Sequence, residues 1–385
     1  MKEIYLDNSA TTPLSDAVKA KMLSAMEIYG NPSSLHSAGL EAEKLLREAR
    51  EALAGALGVR NPREAKIVFT SCGSEASNLA ILGTAKAKAQ KGERKIITTD
   101  SEHPSVANPI LELEERGYKV VRISTKGGEL DMAALEREAE GVFLASIMMV
   151  NNETGARYDV EKAFKLIRTK SPGAVLHCDA VQGFLKTPFT VSTLGADLVT
   201  LSAHKIHGPK GVGALYVAPD IIKTKKIVPV LLGGGQEDGF RSGTENTVGI
   251  AGFGAAVREG FSALERSIAH MKELREYIIS ALPSEIKANL PAASAPHIVN
   301  VTLPSIKSET MLHFLSSKGI FVSSGSACSS HSHSPSASLM AFGLDAKEAD
   351  CSIRISLSRE STREDADALI AALSEGLSSL IRIRR

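Results

Sequence analysis

Seven short runs rich in β-branched residues punctuate the first 217 residues: KIVFT (66–70), KIITT (95–99), KVVRI (119–123), VFLASIMMV (142–150), AVLHC (174–178), DLVTL (197–201) and VGALYV (212–217). Amphipathic stretches lie between several of them. In one, Glu41 to Leu57, the residues Leu45, Ala49, Leu53 and Leu57 recur every four positions, the spacing of a single helical face. A helix between two strands carries the chain back so that the second strand runs alongside the first in the same direction. Strands of that kind are buried on both faces, and VFLASIMMV, far too short to span a bilayer, reads as one of them. The expectation is an α/β fold with a mainly parallel seven-stranded sheet.

From about Glu259 the texture changes. Phe261, Leu264, Ile268, Met271, Ile278 and Leu282 trace a long helix, and PSEIKANLPAASAP after it reads as loop. Strands recur at HIVNVTL (297–303), GIFVS (319–323) and SIRISLS (352–358), before a closing helix from Glu364 to Ile381. This pattern places a domain boundary near residue 258, with a smaller α+β C-terminal domain beyond it.

Charge narrows the classes of partner. Among 385 residues, 45 basic side chains face 44 acidic ones, a net charge of +1. That balance creates no field for nucleic acid or an anionic membrane. Four cysteines, Cys72, Cys178, Cys328 and Cys351, lie far apart with no C-x-x-C pair, which argues against a disulfide framework or a structural metal site. The opening MKEIYLDNSATTPLS has no apolar core of signal-peptide length. A reducing cytoplasm is the expected setting.

Ligands of open parallel sheets bind beyond the carboxyl ends of the strands. Five polar clusters follow expected strands there: SCGSEASN, SEH, NNETG, DAVQ and SAHK. Gly73 and Ser74 precede a helix pattern and would turn backbone N–H groups toward an anion such as phosphate. Asp179 is placed to hold a proton on a pyridine-type nitrogen, the partner that pyridoxal phosphate requires, and Gln182 to donate to its phenolic oxygen. His103 suits ring stacking and proton transfer. Asn151 and Asn152 are candidates for a ligand oxygen. Each residue also has a plain structural reading as a cap, turn or surface group. It is their common placement that argues for one site.

LSAHKIHGPKGVG (201–213) then supplies a lysine just past a strand end. A Schiff base needs a neutral amine, and burial among positive neighbours such as His204 and Lys210 favours that state. Local chemistry alone does not choose between Lys205 and Lys210. Further on, nine of the sixteen residues from Ser323 to Ser338 are serine, a composition without the apolar groups needed to pack. Cys328 sits in its middle, an unusual place for a structural thiol. His331 and His333 nearby read as part of a solvated Ser/His loop.

These residues fall within longer runs: YLDNSATT (5–12), GNPSSLH (30–36), SEHPSV (101–106), VNNETG (150–155), HCDAVQ (177–182), LSAHKIHGPKGVGALY (201–216), GGGQEDGFRSGTEN (233–246) and VSSGSACSS (322–330). In them, and in their order, the chain resembles the pyridoxal-phosphate-dependent cysteine desulfurases of the NifS/IscS type, in the class V aminotransferase superfamily. The resemblance implies the fold-type I architecture, with residues 16–258 as the large cofactor-binding domain and 1–15 with 259–385 as the small one. It implies a homodimer. Lys205 becomes the Schiff-base lysine, Asp179 the pyridinium partner, His103 the stacking residue, and Gln182 and Asn152 cofactor contacts. Gly73, Ser74, Ser202 and His204 would hold the phosphate, with Thr244 reaching across from the other subunit. Arg354, in SIRISLS, would clamp the substrate carboxylate, which a planar guanidinium grips in bidentate fashion.

The implied reaction turns L-cysteine into L-alanine. Its sulfur passes to the Cys328 thiolate as a persulfide, bound for an iron–sulfur scaffold or another sulfur carrier. A selenocysteine lyase or another class V aminotransferase is the alternative, and a transaminase would not require Cys328. Relatives commonly carry glycine where Cys72 stands, which would reshape the phosphate loop slightly.

Overall fold

The computed structural model describes residues 3–59, 61, 65–87, 94–324 and 335–381. Twelve strands run in chain order: β1 (Ile4–Tyr5), β2 (Lys66–Thr70), β3 (Lys95–Thr99), β4 (Lys119–Ile123), β5 (Val142–Met148), β6 (Val175–Asp179), β7 (Leu198–Ser202), β8 (Gly213–Val217), β9 (Lys287–Ala288), β10 (Ile298–Thr302), β11 (Ile320–Phe321) and β12 (Ser352–Ser356). Seven of them form one sheet in the order β2-β8-β7-β6-β5-β3-β4. They coincide within two residues with the seven β-branched runs. The chain belongs to the α/β class, as its strand–helix alternation implies.

Neighbouring residues along each strand go to opposite faces, so the strands need apolar side chains at nearly every position. Ile96, Leu144, Val175 and Leu198 pack on one side with Leu79, Ile110 and Leu113 from two covering helices. Ile97, Ala145, Leu176 and Val199 pack on the other, against Leu46, Leu53, Phe164 and Phe253.

All but β8 run the same way. β8 is antiparallel to both β2 and β7, because only the short stretch 203–212 separates it from β7, too little for a helical crossover. This return forces a close approach. A Cβ at Gly213 would lie 2.4 Å from the carbonyl carbon of Cys72, so glycine is required where β8 passes the start of the helix Gly73–Lys86.

The helices Thr247–Ser262 and Leu264–Ala281 divide at Ala263, so the long helix begins three residues later than its apolar pattern suggested. Beyond it, β12-β10-β9 form a small antiparallel sheet. The stretch PSEIKANLPAASAP, read as loop, contributes β9. Its partial burial beside β10 outweighs a composition poor in strand formers. The N-terminal β1 pairs in parallel with β11, and Leu6 joins Met271, Val299, Ile353 and Leu369 in a separate core. Among the described residues, no helix is long and apolar enough to cross a membrane.

Candidate active site

The carboxyl ends of β2, β3, β5, β6 and β7 open onto one cavity of about 200 Å³. Gly73, Ser74, His103, Asn152, Asp179, Gln182, Ser202, His204, Lys205 and Arg354 all line it. The polar clusters therefore converge because parallel strands deliver their ends to the same side. Asn151 does not take part. Its Oδ1 accepts from the N–H groups of Glu153 (3.0 Å) and Thr154 (2.9 Å), the turn-forming alternative.

Geometry also chooses between the lysines. Lys205 lies in a short 3₁₀ turn after β7 and points into the cavity, where Nζ donates to the carbonyls of Ser9 (2.6 Å) and Ala10 (2.8 Å). Lys210 is exposed and outside it. The segment 7–12, whose carbonyls receive Lys205, carried no role in the sequence reading beyond its family match. Its signal was the match of YLDNSATT itself.

Asp179 ends β6, with Oδ1 accepting from the N–H of Val181 at 2.9 Å. Burial pushes its pKa up to about 6, against the pull of that N–H and of Lys205. A pyridinium nitrogen would supply the cation this carboxyl lacks. His103 caps the helix Pro104–Glu115, its Nδ1 accepting from the Ser105 N–H at 3.1 Å. That bond leaves the ring proton on Nε2. Burial, and then the Lys205 ammonium, lower its pKa to about 4, so the ring is neutral near pH 7. Burial and the nearby Lys205, Lys186 and Lys210 bring His204 to about 4 as well.

The cavity fits a phosphate at one end. Cys72 caps the helix Gly73–Lys86 without a side-chain hydrogen bond, so the first N–H groups of that helix gain no partner from it. Ser202 is buried and its Oγ has no partner, and the same holds for Asn152 Oδ1. Gly73 faces Ser202 so closely that a Cβ there would lie 3.3 Å from the Ser202 Cβ, filling the cradle. Orphaned acceptors and donors, a helix N-terminus and a lysine suit an anionic aromatic aldehyde.

Arg354 comes from the small sheet. It is 1% exposed, with Nη1 donating to the Asn152 carbonyl at 2.8 Å and Nη2 to Asp7 Oδ1 at 2.8 Å, while Nε has no partner. Thr244 is exposed and outside this chain's cavity. Cys328, His331 and His333 lie outside the described residues.

Three features escaped the sequence reading. Glu102, adjacent to His103, is buried, its Oε1 accepting from the Met148 N–H and the Thr99 hydroxyl, and burial lifts its pKa to about 8. Lys186 is 7% exposed and donates to Gln182 Oε1 at 3.0 Å. Arg50 forms a bidentate pair with Glu237 at 2.7 Å, and Glu237 also accepts from the Phe69 N–H in β2, tying the glycine-rich loop to the large sheet. Charged residues carry no burial signal in a sequence, so nothing set these apart.

Residues 4–369 match the class-V aminotransferase family. The chain is 41% identical to the cysteine desulfurase of Trichormus azollae over 97% of its own length and 93% of that protein. It belongs to the cysteine desulfurases. Solved structures share its shape. A NifS-like protein superposes with a TM-score of 0.90 at 37% identity, covering 98% of this chain and 100% of that one. A structure described as SspA in complex with cysteine gives a TM-score of 0.80 at 33% identity, covering 94% of this chain and 100% of that one.

Proposed function

We propose that this cysteine desulfurase uses pyridoxal 5′-phosphate to convert L-cysteine into L-alanine, leaving the sulfur on Cys328. The observation that carries the reading is the convergence of Lys205, Asp179 and His103 in one cavity beside a buried serine hydroxyl without a partner. Gly73, Ser74, Ser202 and His204 hold the phosphate, and Thr244 completes the cup on the partner chain of a homodimer. Asp179 holds the proton on the ring nitrogen, Gln182 donates to the phenolic oxygen, and His103 stacks on the ring. Bound there, the cofactor withdraws electrons from the substrate's Cα.

Lys205 Nζ and His103 Nε2 are placed to move protons at that carbon, while Arg354 and Asn152 orient the substrate carboxylate. The Cys328 thiolate then attacks the substrate sulfur. The S–S bond forms as Cβ–S breaks, the electron pair stays with carbon, and protonation there yields alanine. A persulfide remains for an acceptor protein, an iron–sulfur scaffold or sulfur carrier, in the cytoplasm. In this reading the chain divides into a large unit, 16–258, and a small one, 1–15 with 259–385; the separate apolar clusters against the two sheets support that division.

The test is Cys328→Ala. The variant keeps its bound cofactor and its visible colour but releases no sulfide from cysteine. Undiminished sulfide release would overturn the persulfide step.

A further inference from the structure

We infer that Lys186 is a positioning residue that fixes the amide of Gln182 with its N–H side toward the cofactor. The inference rests on the reading of this cavity as a pyridoxal-phosphate site. Lys186 follows Gln182 by four residues in a buried run of turns, where Phe184 N bonds back to Ala180 O and Lys186 N to Gly183 O. Its amine donates to Gln182 Oε1 at 3.0 Å, and the fully buried His297 places Nε2 at 3.4 Å from the same oxygen. On the other side of the amide, Gln182 Nε2 donates to the Ser9 carbonyl at 2.9 Å.

Two nitrogens facing one atom and a carbonyl facing the other leave a single orientation for the amide. The Ser9 carbonyl can only accept, so the NH₂ meets it and the cavity, and the oxygen takes the Lys186 donor, joined by His297 in the tautomer that carries its proton on Nε2. With no donor at 186, only the weaker contact from His297 and the Ser9 carbonyl would hold the amide, and a flipped amide would present its oxygen to an anionic cofactor.

The groups facing Lys186 make this its specific use. Among the described residues it makes no ion pair, and both Lys205 and Arg354 are close enough to disfavour its charge. A buried lysine without a carboxylate partner is costly, and packing alone would be served as well by methionine. Lys186 also lines a small second cavity together with Met271, Leu357 and Arg359, and Lys205 lines both that cavity and the cofactor site.

The decisive experiment is a double-mutant cycle with pyridoxal 5′-phosphate as the probe, read by equilibrium binding and by the bound cofactor's visible absorption maximum. Lys186→Met weakens binding about tenfold, the factor one hydrogen bond of ordinary strength supplies, and shifts the maximum. Gln182→Ala does the same, and adding Lys186→Met to it produces no further loss. Should the methionine variant fail to fold, Lys186→Gln takes its place in the cycle, and its loss must likewise vanish in the Gln182→Ala background. Losses that add, or an unchanged affinity and spectrum in the single variant, overturn the role of Lys186. Failure of the wild-type chain to bind the probe at all overturns instead the reading of the site, a separate outcome.

Discussion

The seven-stranded and three-stranded sheets both aim side chains at one cavity, but they hold them differently. Asp179 ends a strand whose backbone is held by ladders on both sides, and Lys205 stands in the short turn just past the end of the next such strand. Arg354 lies in β12 of the small sheet, its backbone paired with Asn300 and Ser323, and its side chain enters the cavity between the Asn152 carbonyl and Asp7. The segment 7–12 is the seam. Ser9 N–H donates to Ser356 Oγ at 2.8 Å on the small sheet, while the Ser9 carbonyl accepts from Lys205 on the large one. The groups proposed for the chemistry thus stand at the strand ends of the large sheet, and the proposed grip on the substrate comes from the small one.

The sharpest way to break this comparison is to remove the amine. Lys205→Ala abolishes borohydride fixation of the cofactor and lowers kcat at least about a thousandfold, as loss of a covalent catalyst does. Mass spectrometry of the reduced wild-type protein finds the adduct on Lys205; an adduct on Lys210 would refute the assignment. Next in size is His103→Ala. Steady-state kinetics should show kcat reduced by roughly 10²–10⁴ with cofactor still bound, the range for losing a proton-transfer group.

A change on the small sheet should look different. Arg354→Lys keeps the charge beside Asp7 but loses the bidentate fork, so kcat/KM falls about ten- to a hundredfold, mostly through KM. A loss confined to kcat would mean that the small sheet takes part in the chemistry.

The smallest effect concerns the dry interior of the large sheet. His177 in β6 is fully buried between Ser146 Oγ (2.8 Å) and Thr200 Oγ1 (2.9 Å), and burial lowers its pKa to about 3. As pH falls below 6.5, the unfolded chain takes up a proton that the folded chain refuses until about pH 3, so stability is lost across that window. His177→Gln removes this contribution. Denaturant titrations should then show a slope of stability with pH shallower by up to about 1.4 kcal/mol per unit.

Much of the site was legible because parallel strands make it so. Once SEH, DAVQ and SAHK were seen to follow β-branched runs, the topology itself carried His103, Asp179 and Lys205 to one edge. Other parts were not. Nothing in the spelling of NNETG says that Asn151 serves the turn while Asn152 faces the cavity, since that depends on the bend after β5. Lys186 reads like any surface lysine until the turns from Ala180 onward bury it.

The sequence by itself determined the alternation of strands and helices, and with it the edge of the sheet where a ligand binds, because periodicity and crossover length are local properties of the chain. The family match named Lys205 and Arg354. Only the tertiary structure, however, decided that Lys205 and not Lys210 points into the cavity, that β8 returns antiparallel past Cys72, and how Arg354 and the segment 7–12 reach the site. Those outcomes depend on burial and on contacts between residues hundreds of positions apart, which no local pattern encodes.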